Sequence, residues 1–205
     1  MNPSNTDRSF AGSIPQFYES YLVPLIFEPY AMEMATRVAT LHPSSVLEVA
    51  AGTGVVTRQL AVVLSAATSI IATDLNQPML DHAAAIGTAR RVEWRQADAM
   101  RLPFPDEVFD VVVCQFGVMF FPDKAVAMSE ARRVLRPGGT LLFNVWDRIE
   151  QNDFAAAVAQ VEILSVQRHR RKARWNLSDF GQSRAVRFLR KHWENKADGQ
   201  KHNPK

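Results

Sequence analysis

The chain has 205 residues, 47% of them hydrophobic and 22% charged, which is enough for one sizeable core in an ordinary globular composition. No apolar run reaches the ~18 residues needed to cross a bilayer, and the start, Met1 to Gly12, lacks a basic patch followed by an apolar stretch, so neither membrane insertion nor a secretory signal is expected. The net charge of +3 conceals an asymmetry: residues 1–164 carry 12 basic against 18 acidic side chains, whereas residues 165–205 carry 12 against 3, so the basic balance belongs to the last stretch alone.

In chain order, residues 14–41 place Phe17, Tyr21, Leu25, Met32, Ala35 and Val38 at helical spacing, interrupted near Pro24 and Pro29. Two helices, or one broken helix, are expected there. Ser45 to Ala50 reads as a short buried strand, followed by a two-glycine turn at Gly52 and Gly54 and a helix from Val56 to Leu64. The alternation repeats. A strand from Ser69 to Thr73 ends at Asp74, a helix spans Pro78 to Ile86 with Gly87 as its stop, and a third strand covers Arg91 to Arg95. The nearly continuous apolar run from Phe109 to Cys114 predicts a fourth strand, with the single cysteine as a small core residue. One cysteine excludes an intramolecular disulfide and suits a reducing, cytoplasmic setting. A helix over Pro122 to Leu135, the turn Pro137-Gly138-Gly139 and a fifth strand over Thr140 to Trp146 complete the alternation. Short apolar strands separated by helices predict an α/β fold: a doubly wound, mainly parallel Rossmann-like sheet of strand order 3-2-1-4-5, covered on both faces.

The most informative stretch is Val46-Leu47-Glu48-Val49-Ala50-Ala51-Gly52-Thr53-Gly54. Glycines after a strand let the chain turn sharply and let a ligand approach the backbone. A dinucleotide site would add a third glycine and an acidic residue about 20 positions further on. Asp74 satisfies the second requirement, but Thr57 stands where the third glycine belongs. Glu48 beside the turn would repel a pyrophosphate, whereas a carboxylate there attracts the sulfonium and ammonium groups of S-adenosylmethionine. Glu48 could instead cap the next helix. A carboxylate at Asp74 can accept both ribose hydroxyls of an adenosine, or cap its own helix. Met79 would pack on adenine or simply in the core. Asp98, after the third strand, can accept from the adenine amino group while the Ala99 amide reaches a ring nitrogen. Asp110 is read as solvated or capping.

The ordered set VLEVAAGTGVVT, ATDLNQPML, QADAMRLPFPDEVFDVVVCQFGVMFFPD and EARRVLRPGGTLLFNVW resembles the class I S-adenosylmethionine-dependent methyltransferases. Within them it resembles the small-molecule branch of the ubiquinone and menaquinone biosynthesis C-methyltransferases. The likeness covers about Phe17 to Trp146, roughly two thirds of the chain. It implies that Glu48, Ala50, Gly52 and Gly54 hold the methionine part of the cofactor, that Asp74 holds the ribose, and that Leu75 also belongs to the cofactor site. Met79, Asp98 and Ala99 would hold adenine, Gln115 and Phe116 would border the transferable methyl, and Tyr18 would close over the cofactor.

In-line methyl transfer from a sulfonium rests on alignment and exclusion of water, so no catalytic dyad is required and no catalytic side chain is assigned. The histidines at 42, 82, 169, 192 and 202 show no metal-ligand spacing. Phe116, Phe120, Phe121 and Trp146 could line a pocket for a flat or lipophilic small-molecule acceptor. Three segments are expected: a helical cap over 1–43, a cofactor-binding core over 44–164, and a basic tail over 165–205. The resemblance implies a β-hairpin after the fifth strand. The segments Gln167–Trp175 and Val186–Trp193 show no pair of apolar strands, so the hairpin is expected to be missing and the fifth strand to form an open edge. The tail reads either as a replaced or truncated ending with one short helix, or as a basic arm for nucleic acid. Competing functions are a nicotinamide-dependent oxidoreductase and an inactive cofactor-binding remnant.

Overall fold

The computed structural model describes residues 18–146 and 186–192. Tyr18–Phe27 is wound in wide π turns (α1) and runs directly into an α-helix, Glu28–Ala39 (α2). The two prolines mark this change of winding. Pro24 lies inside α1, where its missing N–H disrupts regular α-helical bonding, and Pro29 occupies the first turn of α2, where no donor is needed.

Six strands follow in one sheet: β1 (Ser45–Val49), β2 (Ser69–Asp74), β3 (Glu93–Gln96), β4 (Phe109–Gln115), β5 (Leu135–Trp146) and β6 (Val186–His192). Between them lie α3 (Val55–Val63), α4 (Gln77–Ile86), a single 3-10 turn (Val118–Phe120) and α5 (Lys124–Val134). The spatial order is β3-β2-β1-β4-β5-β6, with the first five strands parallel. The doubly wound 3-2-1-4-5 arrangement is therefore present as expected.

The edge is not as expected. Val186–His192 lies antiparallel against β5, from Thr140 opposite His192 to Trp146 opposite Val186. The fifth strand is thus paired rather than open, and its backbone groups on that side have partners. Four basic residues interleaved with Val186, Phe188 and Leu189 obscured this strand, because its apolar content falls below that of a central one. The rest of the tail, the hairpin position and the Tyr18 side chain lie outside the described residues.

Successive residues of the central strands face opposite layers, as the two-residue period dictates. Val46, Val111, Val113 and Leu142 pack with Met34, Val38, Val56 and Leu60 of the α2–α3 layer. Leu47, Val49, Val112 and Leu141 pack with Ala131 and Val134 of α5 and with Phe104 and Phe109. Asp110 ties the sheet together at its amino end. It accepts from the Ser44 and Ser45 amides at 2.8 and 2.9 Å, from the Ser45 hydroxyl and from Arg136. These bonds hold its carboxyl below the usual range against an opposing desolvation.

Candidate functional site

In an open parallel sheet, ligands bind beyond the carboxyl ends of the strands where the order reverses. Here the reversal falls between β1 and β4, and a cleft of about 310 Å³ opens there. Ala50 and Gly52 after β1, Asp74 and Leu75 at β2, and Ala97 to Met100 after β3 line one half. Phe27, Gln115 to Gly117, Met119 to Pro122 and Trp146 line the other.

Asp74 is the anchor of the first half. Its Oδ2 accepts from the Gly52 amide and its Oδ1 from the Asn76 amide, both at 2.8 Å. Burial pushes this carboxyl up, and the two amides pull it back toward ionisation. It does not cap α4, whose N-cap is Asn76. Asp98 accepts from the Met100 amide at 2.8 Å, which folds Asp98 to Arg101 into a turn on the cleft wall. Met79 reaches the cleft from the first turn of α4 and is otherwise buried.

Glu48 is placed differently from its expected position. It is 2% exposed, is not among the cleft residues, and accepts from the Thr57 hydroxyl at 2.6 Å. Burial raises its carboxyl to about 8, more than the Thr57 bond lowers it, and the charge of Asp74 adds to the rise. Buried beneath the turn and outside the cleft lining, with its ionisation disfavoured by burial, this carboxyl does not present to the cleft the negative charge assumed for it. The carboxylates that face the cleft are Asp74 and Asp98, and no Lys, Arg or His lies among its described lining residues. Gly54 also stays outside the cleft. A Cβ there would meet the Trp94 ring at 2.8 Å, and its φ of +82° is left-handed, so this glycine serves helix–strand packing.

The second half is aromatic. The Phe116 and Trp146 rings stack with centroids 4.3 Å apart and planes at 18°. Phe27 and Tyr30 lean on Phe116 at 5.4 and 5.6 Å. Phe120 is 63% exposed at the cleft mouth. Such contacts leave a wall of ring faces and edges rather than a polar surface.

Residues 47–143 match the family model described as a methyltransferase domain. The ubiquinone/menaquinone biosynthesis C-methyltransferase UbiE of Stutzerimonas stutzeri is 40% identical over 105 residues, covering 49% of this chain and 41% of that protein. The same enzyme of Ectopseudomonas mendocina is 42% identical over 101 residues, 47% of this chain and 40% of the relative. The chain carries a class I S-adenosylmethionine-dependent methyltransferase domain. It spans about two fifths of the length of these curated relatives. A solved structure of a candidate methyltransferase from Bacillus halodurans is 33% identical with a TM-score of 0.52, over 63% of this chain and 56% of that one. A candidate S-adenosylmethionine-dependent methyltransferase from Methanococcus maripaludis, at 21% identity, shares the fold with a TM-score of 0.60 over 80% and 74% of the two chains.

Within the methyltransferase domain, nine of the expected site residues meet at one cleft: Ala50, Gly52, Asp74, Leu75, Met79, Asp98, Ala99, Gln115 and Phe116. Sequence reasoning missed Phe27, which arrives from the far end of α1, and Gly117, where a Cβ would sit 2.5 Å from the Ala50 Cβ. It also missed Asn144, a fully buried amide in an otherwise apolar strand. Its polarity among Leu141, Leu142, Phe143 and Val145 was the available signal.

Proposed function

We propose that this chain transfers a methyl group from S-adenosylmethionine to a small, flat and largely apolar acceptor. The observation that carries the reading is the charge of the cleft: two carboxylates, no described basic side chain, and a Gly52 amide already engaged by Asp74. A pyrophosphate needs that amide free and a positive field, so the nicotinamide alternative is disfavoured. A cationic, phosphate-free adenosyl ligand suits the field as it stands.

When bound, S-adenosylmethionine would supply a sulfonium methyl group that an acceptor nucleophile attacks in line, the S–CH3 bond breaking and S-adenosylhomocysteine leaving. Asp74 would hold the ribose through the lone pairs its amide partners leave open, with Leu75 beside it. Met79, Asp98 and Ala99 would hold adenine, and Ala50 and Gly52 the methionine part. Gln115 and Phe116 would stand at the reacting end, where Phe27 and Trp146 exclude water and flatten the acceptor against the wall. Both ends of the Gln115 amide are engaged (Nε2 with the Phe27 carbonyl, Oε1 with Asn144), so this residue borders the reaction without serving as a base.

Calorimetric titration with S-adenosylmethionine and, separately, with NAD tests the reading. Saturable binding of the first with weaker or no binding of the second is expected. Tighter binding of NAD would overturn it.

A further inference from the structure

Asn144 is 0% exposed and sits on β5 directly opposite Gln115 of β4. Its Oδ1 accepts the Phe116 amide at 2.9 Å, beside its own main-chain carbonyl at 3.2 Å. Its Nδ2 donates to Gln115 Oε1 at 3.3 Å, and Gln115 Nε2 in turn donates to the Phe27 carbonyl at 3.2 Å. One polar chain therefore runs from β5 through the end of β4 to the end of α1. It reaches the main chain of two of the three ring-bearing residues of the inner wall, Phe116 and Phe27, and the third, Trp146, lies two residues beyond Asn144 on the same strand.

Phe116 has a φ of +55°. A bulky side chain disfavours this left-handed conformation, which persists where several contacts fix it. The Asn144 carboxamide meets that need, because it accepts from the Phe116 amide and donates to Gln115 with one planar group. A leucine of similar shape fills the same space and does neither. Without the carboxamide, the Phe116 amide keeps only the longer bond to the residue 144 main-chain carbonyl, at 3.2 Å, which weakens the hold on the left-handed conformation and on the ring stack with Trp146. The adenosine half of the cleft, at Asp74, Met79 and Asp98, has no part in this chain.

We infer that Asn144 is a positioning residue for the acceptor: it sets the Phe116–Trp146 wall and, through Gln115, the seat of Phe27, and thereby governs the fit of a planar acceptor rather than of the cofactor. This rests on the proposed methyltransferase reading, in which Phe116 borders the reacting methyl.

The test compares wild type with N144L and N144D by calorimetry, using S-adenosylhomocysteine as the cofactor probe and 2-naphthol, titrated in its presence, as the planar probe. N144L removes both side-chain hydrogen bonds with a group of similar branching and leaves the Phe116 amide its main-chain acceptor, whereas N144D keeps the side-chain acceptor for that amide and loses the amide donor to Gln115. The expected result is at least a tenfold loss of 2-naphthol affinity in N144L, with S-adenosylhomocysteine changed less than threefold. In N144D, which keeps one of the two side-chain bonds, the loss of 2-naphthol affinity should be clearly smaller than in N144L. Equal loss of both ligands, unchanged 2-naphthol binding in N144L, equal loss in the two variants, or an N144L that no longer folds would each overturn the proposal. Wild type that binds S-adenosylhomocysteine but not 2-naphthol would also overturn it. Wild type that binds neither would instead sink the methyltransferase reading itself.

Discussion

Thr57, in the first turn of α3, donates its hydroxyl to Glu48 Oε2 at 2.6 Å, and both residues are buried. The position where a dinucleotide site has its third glycine is therefore used to satisfy a buried carboxyl. Glu48 supports the glycine turn from beneath, and the cleft takes its negative field from Asp74 and Asp98.

The Glu48 carboxyl is raised from an ordinary 4.5 to about 8 by burial. A group held higher in the folded state stabilises the fold fully below its unfolded value and loses that contribution as pH climbs through the folded one. Wild-type stability relative to E48Q should fall between about pH 4.5 and about pH 8 and then level off. Urea midpoints of the two proteins across that window measure it, and parallel curves would contradict the assignment.

Asp74→Asn removes the charge that receives the Gly52 and Asn76 amides. A hydrogen bond to a charged group contributes about 1.5–3 kcal/mol, so S-adenosylhomocysteine affinity should drop roughly ten- to a hundredfold. Calorimetric dissociation constants give the answer directly.

Gly117 has an ordinary φ of −84°, yet an added Cβ would lie 2.5 Å from Ala50 Cβ and 2.8 Å from Cys114 Sγ. G117A should therefore cost about 1–3 kcal/mol through overpacking alone. Ala50 is left-handed at φ +56°, so A50G relieves that strain and the tighter of the two clashes, leaving the one with Cys114 Sγ. The double variant A50G/G117A should recover part of the loss in urea unfolding. Equal stability of G117A and the double variant would show that the two segments do not meet as described.

Arg58 links α1 to the glycine turn, donating to the Thr53 carbonyl at 2.7 Å and pairing with Glu19. Both side chains are about one fifth exposed, which weakens the pair through solvent screening. R58M should still cost about 1–2 kcal/mol, and hydrogen exchange over Tyr18–Phe27 should accelerate more than exchange in β1 or β4. Uniform protection in both proteins would exclude this tie.

The strand–helix alternation, the 3-2-1-4-5 order and most of the residues lining the Asp74 half of the cleft were legible in the sequence. These features rest on short-range regularities: apolar runs of strand length, glycines after β1, and acidic residues at the ends of β2 and β3. Strand boundaries moved where tertiary pairing outweighed local pattern. β5 begins at Leu135 rather than Thr140 because Leu135 pairs with Phe109 across an irregular register, carrying Pro137 and two glycines with it.

The amino-acid order by itself determined which residues lie at the strand ends and hence line the cleft that opens there. Only the tertiary structure decided the direction and ionisation of Glu48, the pairing of Val186–His192 with β5, and the linkage of Asn144, Gln115 and Phe27. The reason is physical. Periodicity records which side of an element is apolar, whereas the partner of a buried polar group is set by segments brought alongside from elsewhere in the chain, as Phe27 is brought to Gln115 across 88 residues.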